Sequence, residues 1–132
     1  MTKPTETAKQ FIARKCSEFE RALEREKPIM MKDIGRKGRH AFLREAWTFH
    51  VQHNLLEKVL LIERLRKVGT DGEIVHKRSQ KAGEIEYRIG YYIVGKIGRA
   101  HGRWIWGQFC LLAPEKDFKA LLRKAEREGT IR

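Results

Sequence analysis

The hydrophobic period of this 132-residue chain changes near Gly83, and this change limits the folds open to it. Over residues 85–93 apolar side chains alternate with polar or small ones, as in a β-strand with one buried face. Residues 103–112 are rich in aromatic and β-branched side chains and follow a short glycine-containing stretch. The sequence therefore predicts a long antiparallel hairpin over about 84–112.

Helical spacing marks both ends of the chain. Apolar residues recur in steps of three and four over about 5–26, and Pro28 disfavours helical geometry just beyond them. Pro114 opens a second such stretch over 114–128, and Gly129 is placed to end it. We expect a helix in each stretch.

The middle of the chain also favours a helix. Residues 39–67 contain neither glycine nor proline, and Leu43, Trp47 and Val51 begin an apolar stripe with a step of four. We expect one long or kinked helix there, or two helices broken near His53-Asn54. The predicted fold class is α+β in a single domain over residues 1–132, with helices before and after the hairpin.

The chain is strongly basic. Its 29 Lys and Arg against 17 Asp and Glu give a net charge of +12, which favours polyanionic partners without naming a reaction. Residues 27–44 hold six basic residues and one acidic residue, and residues 74–114 hold seven and two. Two segments therefore hold nearly all the excess charge.

The first basic segment combines cations with glycines just before the predicted middle helix. Free N–H groups at a helix start and glycine backbone both suit a phosphate. The candidate phosphate contacts are Arg36, Lys37, Arg39 and His40. The alternative is a flexible basic loop with no ligand.

The second basic segment is the expected tip of the hairpin. A two-stranded ribbon with a cationic tip can enter a nucleic-acid groove or follow a backbone. The candidate contacts are Lys96, Arg99, His101 and Arg103, with Arg88 on the strand and Lys77 and Arg78 in the preceding loop. The alternative is a solvated turn. The hypothesis requires both basic segments to lie side by side as one electropositive track.

Three aromatic residues are candidates for stacking on bases. Trp104 and Trp106 share one face of their strand, and Tyr92 lies on the polar side of its strand with Arg88. Aromatic residues on strands more often pack against a helix, so core packing remains the favoured interpretation of the two tryptophans.

An alternative function is a small Mg²⁺-dependent nuclease. Asp71, Glu84 and Glu86 lie in a basic neighbourhood, and the two glutamates point to one side of their strand. This arrangement resembles the carboxylates of the PD-(D/E)xK nucleases over about fifteen residues, and the resemblance implies that these three residues hold Mg²⁺. A β-turn and an exposed strand face explain the same residues without catalysis.

The order of helices and strands resembles the layout of winged-helix DNA-binding domains, with residues 95–103 as the wing. A third alternative is an interaction or inhibitor module that uses a basic face on an acidic protein. No cofactor is expected outside the nuclease alternative.

Composition also indicates a compartment. Cys16 and Cys110 lie in no metal-ligand spacing, and we expect buried free thiols. No apolar stretch is long enough to cross a bilayer. We expect a cytoplasmic protein without membrane contact.

Overall fold

A computed structural model describes residues 4–76 and 81–132. Two α-helices and five β-strands make up most of this part of the chain. In chain order they are α1 (Ala8–Glu24), β1 (Ile29–Lys32), β2 (Arg39–Val51), β3 (Lys58–Asp71), β4 (Ile85–Val94), β5 (Trp104–Trp106) and α2 (Glu115–Arg127), with a short 3-10 helix at Gly98–Ala100 before β5. The α+β class is confirmed.

The five strands form one curled antiparallel sheet in which each strand pairs with its neighbours in the sequence. Three connections matter below: the β1–β2 loop (residues 33–38), the β2–β3 turn (residues 52–57) and the hairpin tip (residues 95–103). Helix α1 packs on one face of the sheet and α2 on the other. Neither helix is long and apolar enough to cross a membrane.

The predicted helix over 39–67 is wrong, because this segment forms strands β2 and β3. Strand β3 is central and covered on both faces, so its apolar residues 59–62 are consecutive and hide the alternation of a strand. Register shifts in β2, at Ala41/Phe42 and at Arg44/Ala46, interrupt its period of two. The break expected near His53-Asn54 is the β2–β3 turn, and the winged-helix layout is lost with the middle helix.

Helix α1 is confirmed, and its start has a clear local cause. The Thr7 hydroxyl accepts from the Gln10 backbone N–H, while the Gln10 side chain accepts from the Thr7 N–H. This reciprocal pair satisfies two donors that a helix start leaves free. Phe19 is buried against the sheet, as the apolar stripe predicts, and Phe11, which the stripe does not include, is fully buried beside it.

Helix α2 is also confirmed. Leu121 and Ala125 are fully buried against Leu60 and Ile62 of β3. Asp117, in the first turn of the helix, accepts hydrogen bonds from side chains of the β2–β3 region, His50 at 2.8 Å and His53 at 2.6 Å. Burial alone would raise the pKa of Asp117, but the two histidine hydrogen bonds outweigh it and lower that pKa.

The predicted hairpin forms, but its second strand is short. Only Trp104–Trp106 pair with β4, and Gly107 then donates its N–H to the Tyr91 carbonyl. A side chain at Gly107 would collide with the Tyr91 ring. The chain beyond it leaves the sheet with Phe109 and Cys110 exposed, so the expected burial of Cys110 is wrong. Residues 73–76, which follow β3, form no strand.

Candidate nucleic-acid interface

The two basic segments lie at opposite ends of the sheet. At the end that holds the β1–β2 loop, Arg39 of β2 pairs with Asp71 of β3. At the other end, Val94 donates its backbone N–H to the Glu57 carbonyl, and the hairpin tip follows directly. The expectation of one continuous track is therefore wrong, and each basic segment must be judged separately.

Two of the three exposed cations at the β1–β2 loop, Lys37 and Arg39, lie close to acidic residues. Arg36 is exposed in a left-handed backbone conformation with φ of 65°. The Lys37 ammonium lies 4.0 Å from the Glu73 carboxylate, and Arg39 lies directly across the ladder from Asp71. The expected helix start does not exist here, because β2 is a strand. The loop therefore offers cations without the helical N–H groups expected beside them.

A buried carboxylate organises this loop. Asp33 accepts from the backbone N–H of Val75 at 2.9 Å, from the His40 imidazole at 2.8 Å and from the Gly35 N–H at 3.0 Å. These bonds, the one from Val75 first, lower the pKa of Asp33 to about 2. The other ring nitrogen of His40 lies 2.5 Å from the Lys67 amine, so His40 belongs to an internal network.

Two of the predicted nucleic-acid contacts fall in a part of the chain that the structure does not describe. Lys77 and Arg78 lie outside the described residues. His76 is described and exposed.

The hairpin tip is closed by its own backbone. Gly95 donates to the Arg103 carbonyl, and Gly102 donates back to the Gly95 carbonyl, both at 2.9 Å. The Arg103 N–H reaches the Ala100 carbonyl at 3.0 Å. A side chain at Gly95 would collide with the Ala100 backbone, so the close approach requires glycine. The tip therefore presents its side chains from a defined backbone.

Cations at the tip are exposed and mostly without acidic partners. Lys96 pairs with Glu57 at 2.7 Å, and both side chains are largely open to solvent. Arg99, His101 and Arg103 are exposed. Within residues 4–76 and 81–132, neither Arg99 nor Arg103 makes an ion pair. Two arginines of the tip are therefore available to an anion.

An open cleft of about 850 Å³ lies between the tip and the start of α1. His101, Gly102 and Arg103 line one side, and Arg14 and Lys15 of α1 line the other. Glu6 also lines the cleft and binds Arg14 at 2.8 Å, and Glu18 binds both Arg14 and Lys15, so acids offset both charges of α1. The cleft therefore places paired cations of α1 beside Arg103 of the tip. Local sequence patterns gave no sign of Arg14 and Lys15, because only tertiary packing brings α1 to the tip.

Arg88 does not belong to the tip. Its guanidinium binds the Glu63 carboxylate at 2.6 Å and lies over the Trp106 ring. Arg44 of β2 binds the other oxygen of Glu63 at 2.5 Å. Glu63, which binds Arg88, is fully buried. The sequence analysis did not identify this partner of Arg88.

The three candidate stacking residues pack in the core beneath α1. Trp104 stacks on Phe11 with ring centroids 4.6 Å apart, and its indole N–H donates to the Glu6 carbonyl. Tyr92 contacts Trp106 edge to face, and burial raises the pKa of the Tyr92 hydroxyl. The favoured packing interpretation of the tryptophans agrees with these contacts. Tyr92 shares a face with Arg88 as predicted, but α1 covers that face.

The proposed nuclease carboxylates are spread along the sheet. Glu86 lies across from Leu65, and the Glu84 carbonyl accepts from Lys67, whereas Asp71 ends β3 four positions beyond Lys67. Four residues of extended strand span about 13 Å. In the described part of the chain, no group of three His, Cys, Asp or Glu side chains is arranged to hold a metal ion.

A comparison of the chain with protein-family models, curated proteins and solved structures found no significant match. Function is therefore inferred from the geometry of this chain. At the hairpin tip, Arg99 and Arg103 have no ion pair within the described residues. At the β1–β2 loop, Lys37 lies 4.0 Å from Glu73 and Arg39 lies across the ladder from Asp71. The hairpin tip is therefore the stronger candidate.

Proposed function

We propose that the protein binds nucleic acid through a surface made by the hairpin tip and the adjoining start of α1, called the tip surface here. One observation carries the proposal: Arg99 and Arg103 are exposed on a closed backbone and make no ion pair within the described residues. The other members of the surface are Arg14, Lys15, Lys96 and His101.

Chemistry favours a polyanion over a small ligand at this surface. The cleft is open, and its cations lie on two separate elements, so an extended chain of phosphates fits better than one compact group. Guanidinium groups bind phosphate oxygens through two parallel N–H donors. Gly98 and Gly102, both with positive φ, let the backbone of the tip come close to a partner.

The β1–β2 loop, at the opposite end of the sheet, is a weaker candidate for binding a phosphate. Arg39 and Lys37 each lie close to an acid, and His40 is engaged by Asp33. A phosphate there would compete with carboxylates that are already in place. The proposal therefore gives the β1–β2 loop no part in the main contact.

The number of available cations predicts the salt dependence of binding. Arg99 and Arg103 provide about two phosphate contacts, since Arg14, Lys15 and Lys96 are already paired. For duplex DNA this gives a slope of log K against log salt of about −2, and two distant basic segments acting together would give about −5.

The experiment measures binding of the purified protein to labelled duplex DNA, single-stranded DNA and duplex RNA by fluorescence anisotropy across a salt series. The test variant combines Arg99→Ala with Arg103→Ala, and the matched control combines Arg36→Ala with Arg39→Ala. Both pairs remove two exposed arginines and the same net charge, so their difference isolates location.

We expect the tip pair to weaken binding roughly 10- to 100-fold near 0.1 M salt and to reduce the slope by about 2. We expect the control pair to weaken it by less than about threefold. Equal losses from the two pairs, or no binding at low salt, would refute the proposal. Parallel samples with Mg²⁺ or EDTA are run on gels, and cleavage of the substrate would favour the nuclease alternative.

The same proposal keeps the cytoplasmic location expected from the sequence. The two cysteines are free, which fits a reducing compartment. Fractionation of the source cells, followed by detection of the protein, tests this part of the proposal.

A further inference from the structure

The hairpin tip carries an exposed apolar side chain among its cations. Ile97 is 85 % exposed, the largest exposed fraction of any large apolar side chain in the described part of the chain. Lys96 precedes it, and Arg99 follows two residues later. Scattered exposed apolar residues are common, so exposure alone decides nothing.

The position of Ile97 and the fixed backbone around it distinguish this residue from other exposed apolar residues. Ile97 is in an extended conformation directly before the short 3-10 helix, with φ of −134° and ψ of 151°. His101 donates its backbone N–H to the Gly98 carbonyl, which holds the turn beyond it. The side chain is therefore held out from a closed tip and needs little ordering when it meets a partner.

Stacking on aromatic rings is the usual way to hold single strands, but the ring of Trp104, which lines the cleft, is already engaged by packing. Trp104 stacks on Phe11, while Trp106 contacts both the Tyr92 ring and the Arg88 guanidinium. Cations around a projecting aliphatic side chain suit a duplex instead. Proteins that bend DNA insert such side chains between base pairs while cations hold the flanking phosphates.

Resting on the proposed function, we infer that the partner is duplex DNA and that Ile97 inserts between two base pairs and kinks the helix. Arg99 and Arg103 bind phosphates beside the opened step. The energetic cost is the unstacking of one base step, so a step that is already weakened binds more tightly.

The experiment uses the full chain and a 20-base-pair duplex with a donor and an acceptor dye at its two ends. Added protein is expected to raise the energy transfer, because a kink brings the ends together. A duplex with one central mismatch is expected to bind roughly tenfold more tightly than the matched duplex.

Ile97→Ala is expected to lose most of the change in energy transfer and the preference for the mismatch. Ile97→Phe keeps an apolar wedge and is expected to retain both. Ile34→Ala is the matched control, since Ile34 is 72 % exposed in the β1–β2 loop beside Arg36. It is expected to behave as the wild type. Circular dichroism of each variant checks that the fold is unchanged.

Failure of the inference and failure of the proposed function give different results. Duplex binding with unchanged energy transfer, equal in wild type and Ile97→Ala, overturns the inference and leaves the proposed function. Absence of binding to any nucleic acid overturns both. Tighter binding to single strands than to duplexes overturns the inference. So does binding to vesicles of anionic lipid, lost in Ile97→Ala, without bending of DNA.

Discussion

Arginines occupy two very different settings in this protein. Under α1, Arg44 and Arg88 bind the two oxygens of Glu63, and Glu63 is fully buried. At the hairpin tip, Arg99 and Arg103 are exposed and make no ion pair within the described residues. Arg88 and Arg99 lie in the same hairpin and were equal candidates in the sequence. Basic residues of one hairpin thus divide into those that hold the fold and those that remain available.

The partly buried arginines are held by aromatic rings as well as by charge. The Arg44 guanidinium lies 3.7 Å from the centroid of the Phe19 ring, and that of Arg88 lies 4.8 Å from Trp106. Such contacts are stronger where water is excluded. Removing one member of this cluster leaves charge without compensation in a site with little water.

The largest effect that tests the comparison is expected from Glu63→Ala. It leaves Arg44 and Arg88 facing each other without a counter-charge, and we expect the free energy of unfolding to fall by ~3–5 kcal/mol. Urea denaturation followed by circular dichroism measures the change.

Glu57→Ala is the matched control, because Glu57 pairs with Lys96 at the exposed tip. An exposed ion pair of this kind contributes less than about 1 kcal/mol. Similar losses from both variants would mean that burial does not separate the two settings.

The sequence predicted elements whose periodicity is visible on one face. Helix α1 shows its stripe because only one side meets the sheet. Strand β4 alternates in sequence, but its burial does not: Tyr87 and Ile89, on the face predicted to be buried, are 40 % and 43 % exposed. Strand β3 could not be recognised, since both of its faces are buried and Val59 to Ile62 are all apolar. Periodicity fails where an element has no exposed face.

The same error placed the two basic segments together. Three antiparallel strands, β2, β3 and β4, separate the β1–β2 loop from the hairpin tip, and an odd number of crossings ends on the opposite side of the sheet. A helix over 39–67 imposes no such rule. The tip itself was predictable, because glycines and cations lie between two strands. The partner of Arg88 was not, since Glu63 lies on another strand.

The β1–β2 loop extends the comparison to a carboxylate held by hydrogen bonds instead of arginines. The pKa of Asp33 is lowered to about 2, so its ionised form stabilises the fold at pH values above its ordinary pKa of 3.8. This contribution is lost as the pH falls from about 4 toward 2.

Asp33→Asn is expected to unfold at lower urea than the wild type at pH 7, and the gap is expected to close between pH 4 and pH 2. Urea midpoints at four pH values measure it. Because N–H donors and His40 hold the charge, the gap should change little between 0.05 and 0.5 M salt, unlike binding at the tip. If the difference in urea midpoint between the two proteins did not change with pH, or if salt abolished it, the hydrogen bonds to Asp33 would not be its cause.

The smallest effect is expected at Glu57, the acid that pairs with Lys96 of the hairpin tip. Glu57→Gln removes a negative charge and frees the Lys96 ammonium for a phosphate, so nucleic acid should bind about two- to threefold more tightly at low salt. The gain should disappear in a protein that also carries Lys96→Ala, since the freed cation is then absent. Glu73→Gln, which frees Lys37 at the far end of the sheet, is the matched control and should leave the affinity unchanged. If Glu73→Gln gave the same gain, the effect would come from net charge alone, and position at the tip would no longer distinguish the two regions.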